Sequence, residues 1–72
     1  MDKSKKVEVF GDELTIRYDG NMWVAPSTGS QHARATDAMR EEIEAYYSAS
    51  GENVDEASDE IESYVSQMVD AK

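Results

Sequence analysis

Apolar and polar residues alternate along the first third of the chain, which is the period-2 pattern of β-strands that bury one face. Three runs carry this pattern, and the dipeptides Gly11-Asp12 and Asp19-Gly20, both typical of hairpin turns, lie between them. We therefore predict a three-stranded antiparallel β-meander over residues 6–25, and we expect residues 1–5 to be flexible. The apolar positions of the meander are Val7, Val9, Leu14, Ile16, Tyr18, Met22, Trp23, Val24 and Ala25.

The two predicted turns set the register of the meander. A two-residue turn at each dipeptide pairs Val9 with Leu14 in the first hairpin and Ile16 with Trp23 in the second. Since directly paired residues share one face of a sheet, both registers gather Val7, Val9, Leu14, Ile16, Trp23 and Ala25 on a single face. We expect Trp23 to belong to the core on that face.

A loop and a first helix are predicted after the meander. Residues 26–35 begin with Pro, Ser, Thr, Gly and Ser, a composition typical of loops. Beyond them apolar residues recur at helical spacing, which predicts a helix over residues 36–50. Thr36 is an acceptable N-cap, and Gly51 is a natural stop. The apolar positions of this helix are Met39, Ile43, Tyr46 and Tyr47.

A second helix is predicted over residues 53–70. Asn53 followed three residues later by Glu56 is close to a capping box. Its apolar positions form one stripe, made by Val54, Ala57, Ile61, Tyr64, Val65 and Met68. The sequence therefore predicts an α+β fold of one domain over residues 1–72, with the order β-β-β-α-α and both helices packed on one face of the sheet.

Charge is distributed unevenly between the two halves of the chain. The net charge is −9 and the pI is about 4.3. Residues 1–36 carry five acidic and five basic side chains, whereas residues 37–72 carry eleven acidic side chains against Arg40 and Lys72. Because nucleic-acid affinity comes from cations that neutralise phosphates, we expect no direct binding to DNA or RNA.

The predicted helices concentrate the acidic residues. On the second helix they give about one negative charge per 2 Å of axis, close to the value of about 1.7 Å for duplex DNA. Only Arg40, four residues before Glu44, offsets this charge. We predict that both helices bind a partner through the carboxylates of Asp37, Glu41, Glu44, Asp55, Glu56, Asp59, Glu60 and Glu62.

Three simpler explanations of the acidity stay open. Acidic residues in a first turn stabilise the helix dipole, which accounts for Asp55 and Glu56 but not for Asp59 or Glu62. A negative surface improves solubility, and charge runs are usually solvated faces. An organism adapted to salt would also make its protein surfaces acidic, although it would then place acidic residues on the sheet as well.

The aromatic residues suggest where short-range contacts form. Tyr46 and Tyr47 point about 100° apart on a helix, so only one of them can be fully buried. We select Tyr47 as the tyrosine that anchors a partner, because tyrosine is enriched at binding hot spots. Phe10 and Met22 fall on the sheet face opposite the core, where we interpret them as scattered surface residues.

Catalysis, metal binding and membrane insertion have no basis in the sequence. His32 is the only histidine and is interpreted as a solvated loop residue, since there is no cysteine or second histidine to complete a metal site or a catalytic triad. Nothing raises the pKa of a carboxylate on an exposed helix, so acid–base catalysis is not expected. We expect no enzyme activity, no cofactor and no metal, and a cytoplasmic protein without a membrane span or secretory signal.

A small hairpin sheet followed by the carboxylate-rich segments Asp37–Glu44 and Asp55–Glu62 resembles several phage-encoded anti-CRISPR proteins and other DNA mimics. The resemblance implies an inhibitor that occupies the basic nucleic-acid-binding surface of a partner, such as a CRISPR effector complex, and excludes the phosphate backbone. Two alternatives remain: a small homodimeric adaptor or antitoxin-like module that pairs through the apolar stripe of the second helix, and an acidic domain of a salt-adapted organism.

Overall fold

Five strands and two helices make up residues 3–71, the part of the chain that this computed structural model describes. The strands are β1 (Lys3–Val9), β2 (Asp12–Tyr18), β3 (Trp23–Ala25), β4 (Ser30–His32) and β5 (Val69–Asp70), and the helices are α1 (Ala35–Ala49) and α2 (Ser58–Ser66). All neighbouring strands are antiparallel, in the order β4-β3-β2-β1-β5. The predicted α+β class with an antiparallel sheet and two helices is confirmed, but the sheet has five strands rather than three.

The first hairpin turns one residue earlier than predicted. Val9 pairs with Asp12, so Phe10 and Gly11 occupy the two turn positions, and both have positive φ, at 53° and 83°. This is the arrangement of a type I′ turn, which favours glycine at the second position. The predicted pairing of Val9 with Leu14 is therefore wrong by two residues. A shift of two leaves every side chain on the expected face, since the period of a strand is two.

The second hairpin closes through a four-residue loop rather than through Asp19-Gly20 alone. Tyr18 pairs with Trp23, so the predicted pairing of Ile16 with Trp23 is also wrong by two residues. The carboxylate of Asp19 accepts hydrogen bonds from the backbone N–H groups of Met22 at 2.8 Å and Asn21 at 2.9 Å. These bonds lower the pKa of Asp19 below its ordinary value, since they stabilise the charged form.

The two short outer strands lie where the sequence predicted other structure. Strand β4 lies within the predicted loop of residues 26–35, and strand β5 lies at the end of the predicted second helix. Strand β1 begins at Lys3, so residues 3–5, expected to be flexible, pair with β2. Residues 1 and 2 of that expectation lie outside the described residues.

Both helices begin differently from the prediction. Helix α1 starts at Ala35 after an extended Arg34, and no side chain caps it, so Thr36 is not its N-cap. Helix α2 starts only at Ser58. Asn53 does accept a bond from the N–H of Glu56 at 3.2 Å, as expected, but it caps a separate turn over residues 54–57 that precedes the helix.

The core lies between the sheet and a single layer formed by the two helices. Strands β1, β2 and β3 contribute alternate side chains to it, which is why the parity of the sequence pattern was informative. The opposite face of the sheet has no helix over it, and none of its described side chains is buried. The buried core residues are Val7, Val9, Ile16, Ala25, Ala38, Met39, Ile43, Tyr47, Ala57, Ile61 and Val65.

None of the helices among residues 3–71 combines the length and apolar character needed to cross a membrane.

Candidate partner-binding face

The predicted carboxylates of α1 lie on the side of the helix that faces away from the core. Asp37, Glu41 and Glu44 recur at i, i+4 and i+7, so they form one row along the helix. The buried residues Met39 and Ile43 lie on the opposite side. Asp37 is exposed, and Glu41 and Glu44 are half-buried. The sequence prediction of an acidic row on this helix therefore agrees with the burial pattern.

Arg40 joins the acidic rows of the two helices. Its guanidinium donates to Asp37 Oδ1 at 3.3 Å and, from Nε, to Glu62 Oε2 at 2.8 Å, with Nη2 also bonded to Glu62. The sequence suggested that Arg40 would offset Glu44 instead, one turn further along the helix. The contact with Glu62 shows that this side of α2 adjoins α1. It also means that the one basic residue of residues 35–66 is already engaged.

The remaining predicted carboxylates belong to α2 and to the turn before it. Asp59 is exposed near Glu62 on α2, and Asp55 and Glu56 are exposed in the turn before that helix. Glu60 is also exposed but points about 100° away from Asp59. Its charge contributes to the raised pKa of Tyr47. The acidic surface therefore continues from the outer face of the helices around one flank of α2.

Two side chains of α1, one acidic and one aromatic, point toward the interior of the molecule. Glu42 is buried, and its carboxylate accepts bonds from the N–H of Ser27 at 3.0 Å and from the Ser27 hydroxyl. Glu42 thus fixes the β3–β4 turn to α1. Tyr47 is 1% exposed, so the prediction that it anchors a partner is wrong. Burial above all, and then the charge of Glu60, raises the pKa of Tyr47.

Tyr46 takes the more exposed position that was assigned to Tyr47. It is half-buried, and its hydroxyl donates to Asp12 Oδ2 at 2.6 Å. This hydrogen bond raises the pKa of Tyr46, because ionisation would leave two negative oxygens in contact. The choice between two adjacent tyrosines depended on the exact helix rotation, which the periodicity of the sequence does not determine.

His32 was also misplaced by the sequence interpretation. It lies in strand β4 and not in a solvated loop, and its Nε2 atom is buried without a hydrogen-bond partner. The nearest carboxylate oxygen, Oε1 of Glu41, lies 3.7 Å away, which is beyond hydrogen-bond distance. The acidic row of α1 therefore borders the edge strand of the sheet.

Phe10 is the residue of this region that the sequence interpretation missed. The turn directs its ring toward the helices, where it lies 5.4 Å from the ring of Tyr47 and 6.2 Å from the rings of Tyr46 and Tyr64. It nevertheless remains 59% exposed. The expectation that Phe10 lies on the sheet face opposite the core is wrong. The glycine directly after Phe10 was the available indication that both residues belong to the turn.

Charges on the sheet are paired across strands. Lys5 Nζ lies 2.6 Å from Asp70 Oδ1, and Lys6 Nζ lies 3.2 Å from Glu13 Oε2. Lys5 also lies over the ring of Trp23, with 5.9 Å between Nζ and the ring centroid. Trp23 is half-buried at the border of the core, as an edge residue of the cluster. These two pairs engage Lys5 and Lys6 of β1, whereas among the described residues Glu8 and Asp12 of the sheet form no ion pair.

Comparison with protein-family models, with curated proteins and with solved structures gave no match. Within residues 3–71 no group of three or more His, Cys, Asp or Glu side chains has the geometry to hold a metal ion. The chemistry that this surface offers is electrostatic. Its carboxylates, held on rigid helices, present hydrogen-bond acceptors and negative charge to a basic partner.

Proposed function

We propose that this protein is an inhibitor that binds the basic nucleic-acid-binding surface of a partner protein through its acidic helical face and so excludes DNA or RNA. Its mode of action would be that of the nucleic-acid mimics, including anti-CRISPR proteins. Such a protein acts by binding, and we propose no catalytic role for it. The proposed site of action is the cytoplasm of the cell that holds the partner.

The observation that supports this function is the placement of the acidic rows on the outside of the single helical layer. Asp37, Glu41 and Glu44 face away from the core on α1, and Arg40 shows that the acidic side of α2 lies next to them. Like charges spaced one turn apart on a helix destabilise it by a few tenths of a kcal/mol per pair. A positively charged partner would neutralise these outward-facing rows.

The homodimer alternative loses its main support in the structure. It required the apolar stripe of the second helix to be available for pairing. Ala57, Ile61 and Val65 of that stripe are buried against α1 and the sheet within one chain. Two copies would also bring a net charge of −9 each into contact.

The proposal is tested by capturing partners from a lysate of the source organism on the immobilised protein and eluting them with increasing salt. A recovered protein that binds nucleic acid should release a labelled DNA or RNA as the inhibitor is added, in a fluorescence anisotropy assay. Competition should weaken steeply between low and high salt, because the contacts are between exposed charges.

A pair of variants with equal changes of charge makes the test specific. Glu44→Lys with Asp59→Lys reverses one carboxylate on each helix, neither of which bonds Arg40. Glu8→Lys with Glu13→Lys makes the same change on the open face of the sheet. We expect the helix variant to lose competition and the sheet variant to retain it. Equal competition by both variants would show that the helical face is not the binding surface.

A further inference from the structure

The conformation of Phe10 is unusual for its position. Its φ of 53° lies in the left-handed region, which a bulky side chain rarely adopts. Asparagine before glycine is the residue pair that suits this turn best. Strained residues that a structure retains are concentrated at functional sites. The turn itself therefore gives no reason for a phenylalanine here, and the reason must lie in what the ring contacts.

The ring of Phe10 forms the outer layer of an aromatic cluster at the hairpin end of the molecule. Tyr46 and Tyr47 lie under it in tilted geometry, and Tyr64 meets it edge to face. The three tyrosines are buried or half-buried, whereas Phe10 is 59% exposed. The cluster thus holds a flat apolar ring in a fixed place with much of its surface open to solvent.

Two carboxylates lie near the tyrosines of this cluster. Asp12 lies two residues after Phe10, and its Oδ2 accepts the hydroxyl of Tyr46 at 2.6 Å. Glu60 lies close enough to raise the pKa of the neighbouring Tyr47. Among the described residues, no lysine or arginine forms an ion pair with Asp12 or Glu60. An open aromatic face beside unneutralised carboxylates attracts a cation.

We propose that this aromatic end, formed by Phe10, Tyr46 and Asp12, binds an arginine side chain of the partner protein. The guanidinium stacks on the exposed face of the Phe10 ring and donates a hydrogen bond to Asp12, whose Oδ1 atom lies beside the oxygen already used by Tyr46. Arginine fits better than lysine because its planar, weakly hydrated head group both stacks on a ring and donates in a fixed direction.

This inference rests on the proposed function and names the side chain that the partner contributes at one end of the acidic face. Other occupants fit less well. A second copy of the chain would bring the same carboxylates together, and an anionic lipid surface would meet Asp12 and Glu60 with like charge. A second copy remains an outcome that the experiment would reveal.

The experiment measures how the protein distinguishes an oligoarginine peptide from an oligolysine peptide of equal length and charge. Both peptides carry a fluorescent label, and their affinities are measured by anisotropy at low salt. The wild type should bind the arginine peptide about fivefold more tightly than the lysine peptide, because a guanidinium both stacks on the ring and donates in a fixed direction, whereas an ammonium does not stack. Phe10→Asn should bind both peptides about equally, with the larger loss of affinity for the arginine peptide.

Matched variants separate this inference from the proposed function. Val69→Asn removes the other exposed large apolar side chain, which is 55% exposed and lies on β5, and should keep the arginine preference. Glu44→Lys with Asp59→Lys should weaken both peptides equally and keep their ratio. If instead that variant changes neither affinity while Phe10→Asn removes the preference, the arginine site stands and the acidic helical face fails.

Two results would overturn the inference. One is a wild type that binds both peptides equally, and the other is a Phe10→Asn protein that keeps the preference for arginine. Phe10→Leu provides a second variant should asparagine disturb the fold, since leucine keeps apolar bulk but has no aromatic face. It should lose the preference as well. Self-association that depends on Phe10, seen in sedimentation, would identify a second copy as the occupant.

Discussion

The sheet and the helical layer of this protein treat charge in opposite ways. On the sheet, Lys5 pairs with Asp70 and Lys6 pairs with Glu13, so acidic and basic side chains compensate each other across strands. On the helices, Arg40 is the one basic residue of residues 35–66, and most of the carboxylates face solvent. The sheet thus shows that this chain can pair its surface charges, and the helices show that it does not do so everywhere.

The difference indicates which interactions stabilise each region. Paired charges and backbone hydrogen bonds contribute to the sheet, whereas the helices are attached by buried apolar side chains in spite of their mutual repulsion. We therefore expect the exposed acidic residues to add little to folding, in contrast with the buried Glu42, which bonds Ser27. A protein adapted to salt as a whole would be expected to carry unpaired acidic residues on both regions to a similar extent, whereas on the described sheet only Glu8 and Asp12 form no ion pair.

The largest expected effect comes from truncating a buried apolar side chain that packs the helices against the sheet. Ile61 of α2 is 1% exposed and belongs to the core, so Ile61→Ala should lower the free energy of unfolding by about 2–5 kcal/mol. Urea denaturation followed by circular dichroism measures this loss. Val69→Ala, at an exposed position on the sheet, is the control and should cost less than about 0.5 kcal/mol. Similar costs at both positions would mean that α2 contributes little to stability.

A second comparison is between two carboxylates of α1: Glu42, which bonds Ser27, and Glu44, which belongs to the outer row. Glu42→Ala removes both bonds to Ser27 and should lower the free energy of unfolding by about 1–2 kcal/mol, since bonds to a charged group are stronger than neutral ones. Glu44→Ala should leave stability nearly unchanged or raise it. Chemical denaturation of both variants decides between these outcomes. A destabilising Glu44→Ala would reveal that the exposed row also supports the fold.

Charge reversal should have opposite effects in the two regions. Glu41→Lys relieves repulsion with Asp37 and Glu44 on α1 and should raise the free energy of unfolding by a few tenths of a kcal/mol at low salt. Lys6→Glu breaks the pair with Glu13 and adds a like charge, so it should lower stability by up to about 1 kcal/mol. Thermal unfolding at low and high salt measures both effects, which should shrink as salt screens the charges. Effects of the same sign would remove the contrast between sheet and helices.

The smallest effect concerns alkaline pH and the tyrosines of the helical layer. Burial raises the pKa of Tyr47 above the ordinary value of 10.0, so the unfolded chain loses this proton first. Stability should therefore be unaffected below about pH 10 and should fall as the pH rises above it. Tyr47→Phe should weaken this pH dependence and cost little at neutral pH, because the Tyr47 hydroxyl is buried without a well-formed hydrogen bond. Denaturation at pH 8 and pH 11 tests this.

The sequence predicted the faces of the elements better than their boundaries. Val7, Val9 and Ile16 were assigned to the core face correctly even though the register was wrong by two, since a shift of two keeps the parity of a strand. Strands β4 and β5 were missed because Ser-Gln-His and Val-Asp are too short to show alternation. Their pairing depends on neighbours that are distant in sequence.

Only part of the candidate site was predicted from the sequence, for a related reason. The outward row of Asp37, Glu41 and Glu44 follows from helical periodicity, which a sequence shows directly. The contact of Arg40 with Glu62 and the inward position of Glu42 depend on tertiary packing, which no local pattern contains. Phe10 was missed because its direction depends on one residue of turn geometry.

Strand β5 joins the two ends of the described chain, and this has a kinetic consequence. Its pairing with β1, extended by the bond from Ala71 N–H to Ser4 O at 2.9 Å, closes a loop of almost the whole sequence for very few hydrogen bonds. A two-residue edge strand held by so few bonds should open far more often than the hairpin of the seven-residue strands β1 and β2. In hydrogen exchange, the amide of Ala71 should therefore exchange by local opening, long before the amides of the central strands. Its exchange would report on the opening of the sheet edge without unfolding of the domain.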